Sequence, residues 1–256
     1  MYTNRVKKAL KEGKVQYGTN FGQFRSQDVL KIFAHAGFHW AFVDCEHGGF
    51  DLETVQELCR IAPAVNFSPF VRCADLQYSL VARYLDVGAH GIIFPRVEAP
   101  ELLERAVSWC KFPPEGVRGF GLNAFHFDHK ALSMPEMIDH LNAQTLVVLQ
   151  IETKKALEAR EELLSVPGID AVMIGPADLS ISLGFPGEFQ SPAVVDAMLA
   201  IKESCDKRGI APGTQTRTLK MARFWKERGM RFLGCSSDTG MLFDRAKELI
   251  TELEAG

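Results

Sequence analysis

Leu146-Val147-Val148-Leu149-Gln150-Ile151-Glu152 and Ala171-Val172-Met173-Ile174-Gly175-Pro176-Ala177-Asp178 decide how this chain is read. Each is a short apolar run of strand length that ends on an acid. Near-continuous apolar runs are buried on both faces, as in parallel sheets covered by helices. The stretch between them is long enough for one helical crossover. Neighbouring strands lie about 4.8 Å apart, so the pattern predicts two carboxylates facing one small space. Unpaired carboxylates repel each other, and a divalent cation resolves that conflict.

Outward from this pair, strand and helix alternate along the whole chain. Strands are expected at Tyr17 to Phe21, Trp40 to Asp44, Pro69 to Arg72, Gly91 to Pro95, the two runs above, a weak seventh at Ile210 to Pro212, and Phe232 to Cys235. Helical periods fall at Ser26 to Ala36, Leu52 to Ile61 with Asp51 as cap, Gln77 to Leu85, Pro100 to Trp109 and Leu242 to Leu253. Eight β–α units in series imply a parallel sheet with helical crossovers. Eight such strands close naturally into an α/β fold of the (β/α)8 TIM barrel type. A doubly wound open sheet is the alternative, because periodicity does not report closure. No linker or composition shift divides the chain, so residues 1–256 read as a single domain. The one long irregular stretch, Lys111 to Met134, is rich in Pro, Gly, Phe and His. Loops of that length in compact domains are usually functional, and this one is placed to cover the barrel mouth or to reach a neighbouring subunit.

Composition narrows the function classes. Of 256 residues, 46% are hydrophobic and 24% charged, the profile of an ordinary globular protein. A net charge of -3 without a basic tract argues against nucleic acid. No apolar run approaches the length of a membrane span, and the first eight residues read as a polar helix, not a secretion signal. The six cysteines lack CxxC spacing and scatter along the chain. They are expected to be reduced, mostly buried thiols in a cytoplasmic protein.

In a barrel of this type the functional face is the C-terminal end of the strands. Strand ends in order give Asp44 and His47, Arg72, Pro95, Gln150 and Glu152, then Asp178. Glu152 and Asp178 offer hard oxygen ligands to a magnesium-like ion, which commonly uses one or two protein carboxylates and keeps several waters. Its open positions suit the adjacent carboxylate and keto oxygens of a 2-oxo acid, with the ion acting as a Lewis acid. Arg72 is placed to donate to the same keto oxygen as it gains enolate charge. His47, oriented by Asp44, is a candidate proton carrier. A Schiff-base route would need a lysine inside the barrel, and no expected strand contains one.

Six ordered motifs carry a resemblance. They are Phe42-Val43-Asp44-Cys45-Glu46-His47-Gly48, Val71-Arg72, Leu85-Asp86-Val87-Gly88-Ala89, Pro113-Pro114-Glu115-Gly116-Val117-Arg118-Gly119, Gln150-Ile151-Glu152-Thr153 and Ile174-Gly175-Pro176-Ala177-Asp178-Leu179-Ser180. Together they closely resemble the HpcH/HpaI family of metal-dependent pyruvate aldolases, from near residue 5 to near residue 250. The resemblance implies a (β/α)8 barrel of the phosphoenolpyruvate/pyruvate-binding type. It implies a homohexamer, a trimer of dimers, whose last helix is swapped between subunits. It implies Glu152 and Asp178 as ligands of Mg2+, Mn2+ or Co2+, and Arg72 as the group that stabilises pyruvate enolate. It implies His47 and Asp44 as a proton-handling pair, with Asp86 brought to them across a subunit boundary. Gln150 would line the pyruvate site, and the N–H groups of Ala177 and Asp178 would hold its carboxylate. The implied activity is class II aldol cleavage of a 4-hydroxy-2-oxo acid to pyruvate and an aldehyde.

Three places depart from the family. Asn20 stands where an aromatic residue is common, His126 where an arginine is frequent, and Pro212-Gly213-Thr214-Gln215 lacks the usual apolar residue. All three belong to the aldehyde half of the family's site, so the acceptor is left open. The rival activities are a lyase of CoA thioesters from the citrate lyase-like superfamily, which would need a basic groove for its nucleotide, and a non-catalytic barrel that binds a 2-oxo acid.

Overall fold

Eight parallel strands close on one another in sequence order, the last pairing with the first. They are β1 (Gln16–Phe21), β2 (Trp40–Asp44), β3 (Ser68–Arg72), β4 (Gly91–Phe94), β5 (Leu146–Ile151), β6 (Ala171–Ile174), β7 (Ala211–Thr216) and β8 (Phe232–Ser237). This is a computed structural model, and it describes residues 2–122, 124–127 and 129–255. The expected closed barrel is therefore observed, and the open-sheet alternative is excluded.

Helices alternate with the strands: α1 (Arg5–Lys11), α2 (Gln27–His35), α3 (Leu52–Ile61), α4 (Tyr78–Asp86), α5 (Pro100–Ser108), α6 (Met134–Gln144), α7 (Lys154–Glu158), α8 (Arg160–Leu163), α9 (Pro176–Ser182), α10 (Pro192–Lys207), α11 (Leu219–Glu227) and α12 (Asp238–Glu254). Their starts follow local chemistry. Asp51 caps α3 by accepting from the Thr54 N–H at 2.8 Å. Ser133 and Glu136 form a reciprocal capping box at α6. That signal stands at the edge of the stretch read as irregular. The remainder of that stretch is irregular apart from one 3-10 turn at Ala124–Phe127; Asn123 and Asp128, inside it, lie outside the described residues.

Alternation along the strands sorts side chains into two cores. Ala41, Val43, Val71, Ile92, Phe94, Val147, Leu149, Ile151, Val172 and Ile174 face the helices and belong to the large outer core. Trp40, Phe42, Phe70, Ile93, Leu146, Val148, Ala171, Met173, Ala211 and Phe232 fill the barrel, joined by Val6 and Leu10 of α1, which plugs its base. Trp40 stacks on Phe232 with ring centroids 4.0 Å apart. Gly18 makes room for that ring, since a Cβ there would lie 2.0 Å from Trp40 Cδ2.

Strand β7 runs through Thr216, well past the expected Pro212. Its polar residues are tolerated because their hydroxyls reach neighbouring strands. Thr214 Oγ1 donates to the Ile174 carbonyl at 2.9 Å, and Thr216 Oγ1 to that of Gly234 at 3.0 Å. Helix α12 closes the chain with Leu242, Phe243, Leu249, Ile250 and Leu253 exposed. An apolar groove lined by Tyr17, Phe38, Leu219, Ala222 and Leu233 lies open between α2 and α11. Among the described residues no helix is long and apolar enough to cross a membrane.

Candidate active site

The parity that fills the barrel also builds its mouth. On β2 the inward series Trp40, Phe42 continues to Asp44; on β3, Phe70 continues to Arg72; on β5, Leu146 and Val148 continue to Gln150 and then Glu152. The core ends and polar chemistry begins one layer higher, on the same face of the same strands. Strands β5 and β6 are hydrogen-bonded neighbours, as the opening pair of runs predicts. Asp178 sits in the first turn of α9, three residues after the acceptor Gly175.

Arg72 is the most firmly held charge. Its Nε and Nη2 donate to Asp44 Oδ1 and Oδ2 at 3.0 and 2.6 Å, a two-pronged pair. Its Nη1 lies 3.1 Å from Glu46 Oε2. Burial works against this guanidinium, but Asp44, Glu46 and Glu152 outweigh it and raise its pKa. Asp44 is further occupied by the backbone N–H groups of Glu46 and His47, both at 3.2 Å.

Glu152 is almost wholly buried, at 2% exposure. Its Oε1 accepts from the Arg96 backbone N–H at 3.0 Å, and its Oε2 from the Gln150 side-chain amide. Burial raises its pKa first; the Gln150 and Arg96 hydrogen bonds oppose that, while the Glu46 and Asp178 charges add to it.

Other expected residues lie differently. Asp44 touches His47 only through its backbone; the ring is exposed and points toward Glu46, with Nε2 3.8 Å from Oε2. The expectation that Asp44 orients the imidazole is therefore corrected: Arg72, a stronger bidentate partner, occupies that carboxylate. Asp86 ends α4 at the opposite end of the barrel and pairs with Arg118 at 2.7 Å. His126 also lies toward the base, in a cleft with Arg60 and His90. Within one chain, neither reaches the mouth.

Two charged groups were not singled out from the sequence. Glu46 is buried and holds both Arg72 and Arg96. Arg96 follows β4 by two residues, with φ at +56°, and meets Glu46 Oε1 at 3.1 Å and Asp178 Oδ1 at 3.5 Å. Both follow strand ends, where mouth residues are found; nothing in a linear reading shows which way such loop residues turn.

The donors fit a hard divalent cation. Glu152 has no cationic side chain bonded to it among the described residues, and Gln150 Oε1 beside it is buried without a hydrogen-bond partner. A Cβ at Gly175 would lie 2.8 Å from Glu152 Oε2, so the glycine keeps the space beside the carboxylate open. No group of three or more His, Cys, Asp or Glu able to hold a metal is found among the described residues. No strand contains lysine, and Lys154 and Lys155 are exposed on α7, which excludes a barrel lysine at this mouth.

The comparisons agree with this architecture. The sequence profile described as HpcH/HpaI aldolase/citrate lyase matches residues 20–244. A 4-hydroxy-2-oxo-heptane-1,7-dioate aldolase from Shigella boydii is 34% identical over 98% of this chain and 95% of its own. A hydroxypyruvate/pyruvate aldolase from Roseobacter denitrificans is 30% identical over 99% and 98%. The crystal structure of an HpcH/HpaI aldolase from Desulfitobacterium hafniense superposes with a TM-score of 0.93 at 30% identity, covering 99% of this chain and 97% of that one. With barrel, mouth and full-length similarity in agreement, this chain belongs to the HpcH/HpaI aldolase/citrate lyase family.

Proposed function

We propose that this protein is a carbon–carbon lyase, a class II aldolase that reversibly cleaves a 4-hydroxy-2-oxo acid to pyruvate and an aldehyde. The observation that carries it is Glu152: a buried carboxylate, bonded by no cationic side chain among the described residues, within electrostatic reach of Asp178 and of the anchored Arg72. Glu152 and Asp178 would hold Mg2+, Mn2+ or Co2+, which when bound supplies Lewis-acid stabilisation for the 2-oxo group. Arg72 donates to the 2-oxo oxygen as charge grows there; its ties to Asp44 and Glu46 fix its direction before substrate arrives. Gln150 lines the pyruvate half. The N–H groups at the start of α9, those of Ala177 and Asp178 among them, have no acceptor within their own helix and face the substrate carboxylate.

His47 takes the proton of the 4-hydroxyl. The C3–C4 bond breaks, its electron pair moves into the enolate of pyruvate, and the aldehyde leaves. A proton then returns to C3. Glu46, not Asp44, is the carboxylate behind His47, and Asp86 would join from a second copy of the chain. The exposed face of α12 supports its exchange between subunits, covering the groove between α2 and α11 in a hexamer. Residues 1–256 would act as one catalytic unit, and the buried thiols support a cytoplasmic setting.

Exchange of pyruvate C3 protons in D2O with Mn2+ tests the proposal without any aldehyde. Exchange is expected from the wild type and lost with Glu152→Gln. Its absence with every divalent ion tried would overturn the assignment.

A further inference from the structure

We propose that Arg96 is a tethered cation that exchanges Asp178 for an anionic group on the aldehyde half of the substrate, and so determines acceptor specificity. The proposal rests on the aldolase reading above. Arg96 touches three carboxylates of the mouth at once: Glu152 through its backbone N–H at 3.0 Å, Glu46 through Nε at 3.1 Å, and Asp178 through Nη2 at 3.5 Å. A left-handed backbone is costly for a residue with a side chain and persists where surroundings fix it. Here φ of +56° is what turns both the N–H and the side chain into the mouth.

The three contacts are not equal. Glu46 is buried and already held by Arg72, so it is a fixed anchor. Asp178 is 41% exposed and makes the longest contact. The Arg96 side chain is itself 55% exposed, which leaves its outer nitrogens able to turn. A divalent ion on Asp178 would compete directly with the guanidinium for the same oxygens and carries twice its charge. Arg96 then loses its weakest partner and keeps Glu46. Its freed Nη2 stays beside the mouth, where it can donate to a carboxylate.

Charge count supports the exchange. Among the described residues, the arginines that face Asp44, Glu46, Glu152 and Asp178 are Arg72 and Arg96, with the His47 ring at the edge of Glu46. A divalent ion would balance the two negative charges that remain, so that Asp178 no longer depends on Arg96 for its counter-charge. Elsewhere on the barrel, Asn20 Oδ1 of β1 and Gln215 Oε1 of β7 have no hydrogen-bond partner among the described residues and supply no positive charge.

The test uses Arg96→Met and Arg96→Lys. Manganese titration followed by electron paramagnetic resonance, without substrate, is expected to show tighter binding to Arg96→Met by about tenfold, since a competing charge a few ångströms away is gone. Arg96→Lys should bind Mn2+ as the wild type does. In aldol addition with pyruvate, kcat/KM for succinic semialdehyde relative to uncharged butanal is expected to fall about tenfold in Arg96→Met, carried by KM and partly restored by lysine. Unchanged or weaker Mn2+ binding by Arg96→Met, or an unchanged acceptor ratio, overturns the proposal. Wild-type proton exchange on pyruvate separates the two levels: if it fails, the aldolase reading falls; if it occurs and the Arg96 results are null, only the role of Arg96 falls.

Discussion

Arg72 shows how one residue here serves both structure and chemistry. It is buried between two carboxylates, and removing a partner from such a group leaves uncompensated charge, a cost of roughly 3–5 kcal/mol. Arg72→Ala would therefore mix lost chemistry with lost stability. Arg72→Lys keeps the charge but not the two-pronged geometry with Asp44. It is expected to fold, with a melting temperature within a few degrees of wild type, and to lose at least about a hundredfold in aldol cleavage. His47 is exposed and bonded through its ring to nothing stronger than a long contact with Glu46. His47→Ala should leave stability unchanged and lower the rate by roughly 10²–10⁴-fold. Equal loss of stability and rate would assign His47 to the fold instead.

Loops are fixed by side chains that reach across elements. Asp238, the first residue of α12, is 3% exposed. Its Oδ2 accepts from the backbone N–H groups of Gly22, Gln23 and Phe24 at 3.1, 2.8 and 2.8 Å, tying the end of β8 to the loop after β1. Asp238→Ala strands these donors and is expected to cost about 1–3 kcal/mol, read from urea denaturation. At the same ring of strands, Gly18→Ala would drive a methyl group into Trp40. Overpacking of this kind costs typically 1–3 kcal/mol, and the displaced indole should blue- or red-shift tryptophan emission relative to the wild type.

Across the molecule, the thiols set a limit at high pH. Burial raises Cys45 to about 11, and Cys110 and Cys205 to about 12, and pushes Cys59 and Cys73 higher still. Unfolded thiols ionise near the ordinary cysteine value, so above about pH 9 the unfolded chain binds fewer protons than the folded one. Stability is then complete below that pH and declines as pH rises toward the folded values. The Lys111 ammonium, lowered to about 8 by burial, works in the opposite sense as a single group. Unfolding free energy is expected to be lower at pH 10 than at pH 8, with a shallower decline in Cys205→Ala. The exposed apolar face of α12 makes a second whole-molecule prediction: ending the chain at Met241 should lower the mass measured by light scattering, whereas an unchanged mass would remove α12 from the interface.

The strand ends were legible because burial and alternation are written locally. Trp40 to Asp44 and Leu146 to Glu152 declare, residue by residue, an apolar interior that stops at an acid. The class of fold follows from that pattern, as does the adjacency of the strands that lead to Glu152 and Asp178. The sequence by itself also carried the family resemblance through its ordered motifs. What it did not determine is which charge holds which. Asp44 has two possible partners within reach of its strand end, and only the register of β2 beside β3, which places it opposite Arg72, gives it to arginine instead of the His47 ring. Glu46 and Arg96 enter the site through loop torsions, including one left-handed residue, that no spacing announces. Hydrophobic periodicity is a one-dimensional signal, whereas ion-pair partnership is a competition in three dimensions, decided by distance and direction once the barrel has closed.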